Sequence, residues 1–164
     1  MNAPFQELAI KGVFLALVQL HTDTRGWLAE TFRLDWLSAL GISEARPVMA
    51  YVSVTRPGVV RGPHEHRFQT DYFGFLGPSD FQVFLWDNRS ESASNGRHLS
   101  VVLGASKPGL LIVPPGVVHA YKNIGPVDGL VLNYPNKLYA GWNRKEPVDE
   151  IRHEERPDSP FVIP

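Results

Sequence analysis

Gly58-Val59-Val60-Arg61-Gly62-Pro63-His64-Glu65-His66 and, further along, Gly109-Leu110-Leu111-Ile112-Val113-Pro114-Pro115-Gly116-Val117-Val118-His119-Ala120-Tyr121-Lys122-Asn123 are the two stretches on which the fold turns. In a strand, alternate side chains share a face, so His64 and His66 point into one space. The second stretch is a buried apolar strand, a Pro-Gly turn, and a histidine on the strand that follows. Taken singly, the first is equally well a pair of surface histidines and the second an ordinary turn.

Around these stretches the apolar segments are short: Val13-Leu20, Trp27-Phe32, Val48-Val54, Tyr72-Leu76, Phe81-Trp86, Leu99-Leu103, Leu110-Val113, Val118-Tyr121 and Leu130-Leu132. Most are bounded by Gly, Pro, Asp or Asn. Many short strands with regular turn punctuation predict an all-β sandwich or barrel. Phe81-Trp86 is nearly all apolar, as a strand buried on both faces requires. Only Leu34-Leu40 reads as helix, with Gly41 at its C-terminal stop. Glu146 to Pro164 is charged and proline-containing and is expected to form a surface tail on a single domain spanning 1–164.

Composition limits the function classes. The chain has 164 residues, with 16 basic against 17 acidic side chains, a net charge of -1 and no cysteine. That balance gives no support to nucleic-acid or anionic-membrane binding, which asks for a basic excess. The absence of cysteine excludes disulfides, thiolate metal sites and cysteine nucleophiles. The first residues lack a basic stretch followed by a long apolar run, and no apolar run approaches the ~20 residues of a membrane span. The expected location is the cytoplasm.

Together, the two histidine stretches resemble the paired motifs of the cupin superfamily, G-x5-H-x-H-x3,4-E-x6-G and G-x5-P-x-G-x2-H-x3-N. Gly58, His64, His66, Gly77, Pro114, Gly116, His119 and Asn123 fall in place. Gly109 is one residue too close to Pro114, and Thr70 or Asp71 stands where the glutamate belongs. The resemblance implies an all-β double-stranded β-helix, a jelly-roll barrel with one short helix, whose interior carries the histidines.

Further segments resemble the dTDP-4-dehydrorhamnose 3,5-epimerases and related dTDP-sugar isomerases. His21-Thr22-Asp23-Thr24-Arg25-Gly26-Trp27-Leu28-Ala29-Glu30-Thr31-Phe32 is similar to their D-x-R-G-x-x-x-E-x-F segment. Gly58, Arg61, Gly62 and His64 match G-x-x-R-G-x-H. Trp86-Asp87-Asn88-Arg89 is similar to their acidic-Arg turn, and Tyr139 to a late tyrosine. The resemblance implies a metal-independent epimerase of carbohydrate biosynthesis that removes and returns a proton α to the keto group of a dTDP-4-keto-6-deoxy sugar. Such chemistry needs a base on one face and an acid on the other. His64 would be the base and Tyr139 the acid. Arg25, Glu30, Arg61 and His119 would bind substrate, the arginines on the diphosphate. No cofactor is implied. A homodimer exchanging N-terminal strands is, with Val13-Leu20 a contributor.

The chain also departs from that pattern. Met49-Ala50-Tyr51-Val52-Ser53 replaces a Q-x-N-x-S strand. Uncharged Gln69-Thr70 stands near the place of a lysine that stabilises the enolate. The aspartate that orients the base has no secure counterpart; Asp158 and Asp71 are the candidates. His66 is an addition. The alternative reading is therefore a metal-dependent cupin in which His64, His66, Asp71 and His119 ligate one divalent ion. A non-catalytic sugar-binding cupin is the third. Plainer roles also stand: Trp27 and Phe32 as core, Tyr139 as a half-buried packing residue, Arg25 and Glu30 as exposed charges.

Overall fold

Strands dominate because the apolar segments alternate and glycine or proline interrupts them every few residues. A computed structural model describes residues 3–164. Its strands are β1 (Gln6–Glu7), β2 (Phe14–Leu17), β3 (His21–Asp23), β4 (Gly26–Leu28), β5 (Tyr51–Thr55), β6 (Val60–Glu65), β7 (Asp71–Gly77), β8 (Asp80–Asp87), β9 (His98–Gly104), β10 (Gly109–Val113), β11 (Val117–Asn123), β12 (Gly129–Asn133) and β13 (Ile151–Arg152). One helix, α1, spans Leu34–Ala39.

All strand pairs are antiparallel. One sheet runs β1-β2-β10-β7-β12-β5, a second runs β13-β6-β11-β8-β9, and β3 and β4 form a separate hairpin. This is the jelly-roll arrangement expected from the sequence. The two large sheets face each other over Phe73, Phe75, Phe81, Val83, Leu85, Leu111, Val113 and Val131. The alternate residues of β7 and β10, Tyr72, Leu110 and Ile112, pack outward against Leu37 of α1. Both faces of β7 are therefore covered, which fixes its register: a slip of one residue would exchange Phe73 with Tyr72 and turn Asp71 away from the interior.

Two expectations, on Trp27 and on 146–164, are corrected. Val13-Leu20 supplies β2, which within the single chain pairs with β1 and β10. Trp27 is 53% exposed on the β3–β4 hairpin and is not core. The stretch 146–164 is not simply a surface tail: β13 pairs with β6, and His153 is buried. Phe32, by contrast, does pack into the outer cluster, against Tyr72 and Tyr134.

Candidate active site

Three strands bring the chemistry together. His64 on β6 and His119 on β11 are direct cross-strand partners, and His66 follows just past the end of β6. Asp71 opens β7 on the facing sheet and points inward with Phe73. The β6–β11 approach depends on Gly62. Its φ is +84°, and a Cβ there would lie 2.6 Å from the His119 carbonyl oxygen. Any side chain would push the two histidine strands apart.

Hydrogen bonds fix the rings. His119 Nδ1 lies 3.1 Å from the Val117 carbonyl, and His66 Nδ1 is bonded to the Asp149 carbonyl. A carbonyl only accepts, so Nδ1 carries the hydrogen in both rings. Each Nε2 then faces Asp71 Oδ2, at 3.1 Å from His66 and 3.4 Å from His119. The other carboxylate oxygen, Oδ1, accepts from Gln69 Nε2 at 2.9 Å and from Asn133 Nδ2 at 2.8 Å. Gln69 Nε2 also lies 3.1 Å from His66 Nε2. Tyr51 Oη accepts from the same Asn133 amide at 2.8 Å.

The protonation states follow from burial and from Asp71. Burial pushes the His64 pKa far down, and the neighbouring His119 and His66 push the same way. His64 is thus a neutral imidazole with a free lone pair. Burial alone would also lower His66, but the bond to Asp71 and its charge outweigh it, raising His66 to about 9. Burial lowers His119. Burial would raise Asp71, yet His66 and the other donors hold it at about 2.

His64 and His66 open onto a cleft of about 1670 Å³. His64, Tyr139 and Arg61 all line it, so the expected base, acid and one expected arginine share one space. Tyr139 is 52% exposed there. Arg61 is held by Thr55 Oγ1 at 2.9 Å and the Val54 carbonyl at 2.7 Å. His119, expected to bind substrate, is only 2% exposed and sits behind His64 and His66. Arg25 and Glu30 are not brought in. Arg25 pairs with Asp23 on the hairpin, and Glu30 pairs with Arg33. Both lie on the exposed N-terminal side, away from this chain's cleft. Neither candidate orients the base: Asp71 serves His66 and His119, and exposed Asp158 does not line the cleft.

Other residues of the site were not anticipated. Glu150 and Glu154 each place Oε1 3.9 Å from His64 Nδ1. Asp149 accepts the backbone N–H groups of Arg67, Phe68 and Gln69 at 2.8–3.0 Å. It thereby fastens the C-terminal segment over the loop between β6 and β7. The clustered acids Asp149-Glu150 and Glu154-Glu155 were the only signal in the sequence, and a cluster of that kind usually marks a solvated surface. Arg67, Lys137 and Arg144 add positive charge along the same cleft.

Comparison with known proteins gives a consistent set. The dTDP-4-dehydrorhamnose 3,5-epimerase family profile matches residues 7–140. The chain is 36% identical over 123 residues to a probable low-salt glycan biosynthesis epimerase, Agl13, of Haloferax volcanii, covering 74% of this chain and 76% of that one. It is 30% identical over 130 residues to the spore coat polysaccharide biosynthesis protein SpsL of Bacillus subtilis, covering 79% and 82%. A dTDP sugar isomerase from Desulfovibrio desulfuricans superposes with a TM-score of 0.77 at 23% identity, covering 96% of this chain and 94% of that one. A 3'-monoepimerase from Streptomyces bikiniensis, solved with dTDP-quinovose, gives 0.80 at 22% identity, covering 100% and 79%.

Proposed function

The chain belongs to the dTDP-4-dehydrorhamnose 3,5-epimerase family, and from that premise we propose that it epimerises or isomerises a nucleotide-linked 4-keto-6-deoxy sugar in the cytoplasm. The observation that carries this reading is an imidazole and a phenol lining one cleft, His64 and Tyr139. His64 takes the proton α to the keto group, and Tyr139 returns one to the opposite face. Arg61, Arg67, Lys137 and Arg144 along the cleft suit the two phosphates of a nucleotide diphosphate.

The same reading includes a homodimer. β5 pairs only with β12 among the described residues, so its outer edge is open. Val52 and Val54 stand exposed on it, and Trp27 and Leu28 stand exposed on the hairpin. Open, apolar strand edges invite pairing with a second chain. Two copies joined through these surfaces bury both patches, and the hairpin then offers Arg25 and Glu30 to the other copy's cleft.

The test is incubation with dTDP-4-keto-6-deoxyglucose in deuterated water. Deuterium at C3 or C5 is expected, and its loss in His64→Asn with the fold unchanged. A wild-type protein that incorporates none overturns the proposal.

A further inference from the structure

An enolate formed beside His64 leaves negative charge on its oxygen, and Gln69 and Thr70 bring no positive charge to meet it. Both ring nitrogens of His66 are committed, to the Asp149 carbonyl and to Asp71. A phenol on the facing sheet is placed differently. Tyr51 opens β5, where alternation turns it and Ser53 into the cleft while Val52 and Val54 point out. Its cross-strand partner on β12 is Asn133. Hydrogen bonds fix the orientation of the Asn133 amide. Its Oδ1 accepts from the Tyr72 backbone N–H at 3.2 Å, so Nδ2 is the donor end. One Nδ2 hydrogen goes to Asp71 Oδ1 and the other to Tyr51 Oη, each at 2.8 Å. An amide nitrogen only donates, so Tyr51 Oη accepts here and keeps its own hydrogen for another partner. That hydroxyl takes part in no other hydrogen bond among the described residues, and the space before it is the cleft. Tyr121, a neighbouring phenol of the cleft, already shares a hydrogen with Ser53 Oγ at 3.2 Å. Burial first, and then the charges of Asp71 and Glu150, raise the Tyr51 pKa to about 12, so the hydroxyl keeps its hydrogen. Glu150 also stands 3.9 Å from His64 Nδ1, so phenol and base look onto one part of the cleft.

We propose that Tyr51 is a further catalytic residue, whose O–H donates to the 4-keto oxygen of the sugar and stabilises the enolate formed when His64 removes the α proton. The role rests on the epimerase reading; the free hydrogen rests on geometry alone. As His64 takes the proton, the C–H pair becomes the enolate double bond and the carbonyl π pair moves onto oxygen. The Tyr51 hydrogen bond tightens onto that oxygen, and the proton stays with the phenol. Asn133, bonded to Asp71 and to Tyr72, holds the phenol oxygen from behind, so the donor is in place before the charge develops. A preorganised donor of this kind costs no reorganisation at the moment of reaction.

The experiment is Tyr51→Phe assayed with dTDP-4-keto-6-deoxyglucose in deuterated water. The ring stays and solvent in the cleft can accept from Asn133, so circular dichroism should match wild type. The kcat for deuterium incorporation should fall about 10²–10³-fold, the usual loss for one such donor, with KM within a few-fold. Exchange and inversion should fall together, whereas a variant lacking only the returning acid keeps exchange. A second readout needs no turnover. In His64→Asn loaded with substrate carrying carbon-13 at C4, the keto resonance should move upfield when Tyr51→Phe is added, because a hydrogen bond to the oxygen is lost. In the same background 3-fluorotyrosine at position 51, a stronger donor on an intact ring, should move it the other way. Exchange at the native rate in Tyr51→Phe, or a keto resonance that neither change moves, overturns the proposal and leaves the epimerase reading standing. Wild type that incorporates no deuterium overturns the epimerase reading, and the role of Tyr51 falls with it.

Discussion

His153 Nε2 donates to Glu65 Oε1 across 2.9 Å, and both side chains are buried. Glu65 sits between His64 and His66 in sequence, so strand alternation turns it to the opposite face. There it also accepts from Asn88 Nδ2 at 2.8 Å. The pair ties the C-terminal segment across the back of β6, while Glu150 and Glu154 of that segment reach the front.

Glu65→Ala should therefore destabilise the whole fold. It leaves His153 as a buried donor without an acceptor, a loss of roughly 1–3 kcal/mol, while exposed Asn88 can turn to water. For a chain of this size that lowers the melting midpoint by about 2–4 °C per kcal/mol. Denaturant unfolding should give a lower midpoint at unchanged slope. An unchanged midpoint would mean that the segment is held by β13 pairing alone.

A second buried carboxylate controls acid stability. Burial would raise the Asp87 pKa, but hydrogen bonds from Arg89, Ser92 and Ser94 outweigh it and hold it well below the ordinary range. A group with a depressed folded pKa contributes stability above its unfolded value, about 3.9, and that contribution fades as pH falls toward the folded value. Asp87→Asn should be less stable than wild type at pH 7, with the gap narrowing below about pH 4. Guanidinium unfolding at pH 7, 5 and 3 reads this directly. A gap independent of pH would assign the difference to packing.

These cases mark what the sequence could and could not reveal. The barrel was legible because alternation, turn glycines and two histidine stretches all demand it, and His64, Arg61 and Tyr139 do share the cleft. Asp71 was legible only as a candidate. Its exchange between His66 and His119 depends on β7 of one sheet facing β6 and β11 of the other, which spacing cannot convey. Glu150 and Glu154 were hidden because a charged, proline-containing terminus reads as solvated surface, and only the two-residue β13 pairing brings it back. Trp27 misled for a related reason: an aromatic in an apolar segment reads as core, whereas the hairpin holds it out at an unpaired edge.

The open edge of β5 gives a prediction about assembly. Val52 and Val54 point outward from β5, so lysine at both positions costs the isolated fold little, within about 0.5 kcal/mol per site. In a dimer joined through β5, the two charges would be buried without partners. Val52→Lys/Val54→Lys should therefore be monomeric by light scattering at micromolar concentration, where wild type is dimeric. A variant that stays dimeric would move the interface elsewhere.

The most exposed prediction concerns Tyr139. It lines the cleft with His64 but comes from the segment after β12, on a different part of the wall. Exchange of the α proton with solvent needs only a base, because the proton can return to the face it left. Inversion needs a donor on the other face. Tyr139→Phe keeps the ring and removes only the hydroxyl, and a half-exposed ring should lose little stability. The variant should retain exchange and lose the inverted product by about 10²–10⁴-fold, the usual contribution of a general acid. Both quantities come from one experiment in deuterated water, with label measured by mass and configuration by proton coupling. Inversion at the native rate would make Tyr139 a wall residue. Tyr51, which also lines the cleft and whose pKa burial and the nearby Asp71 raise to about 12, would then be the next phenol to test.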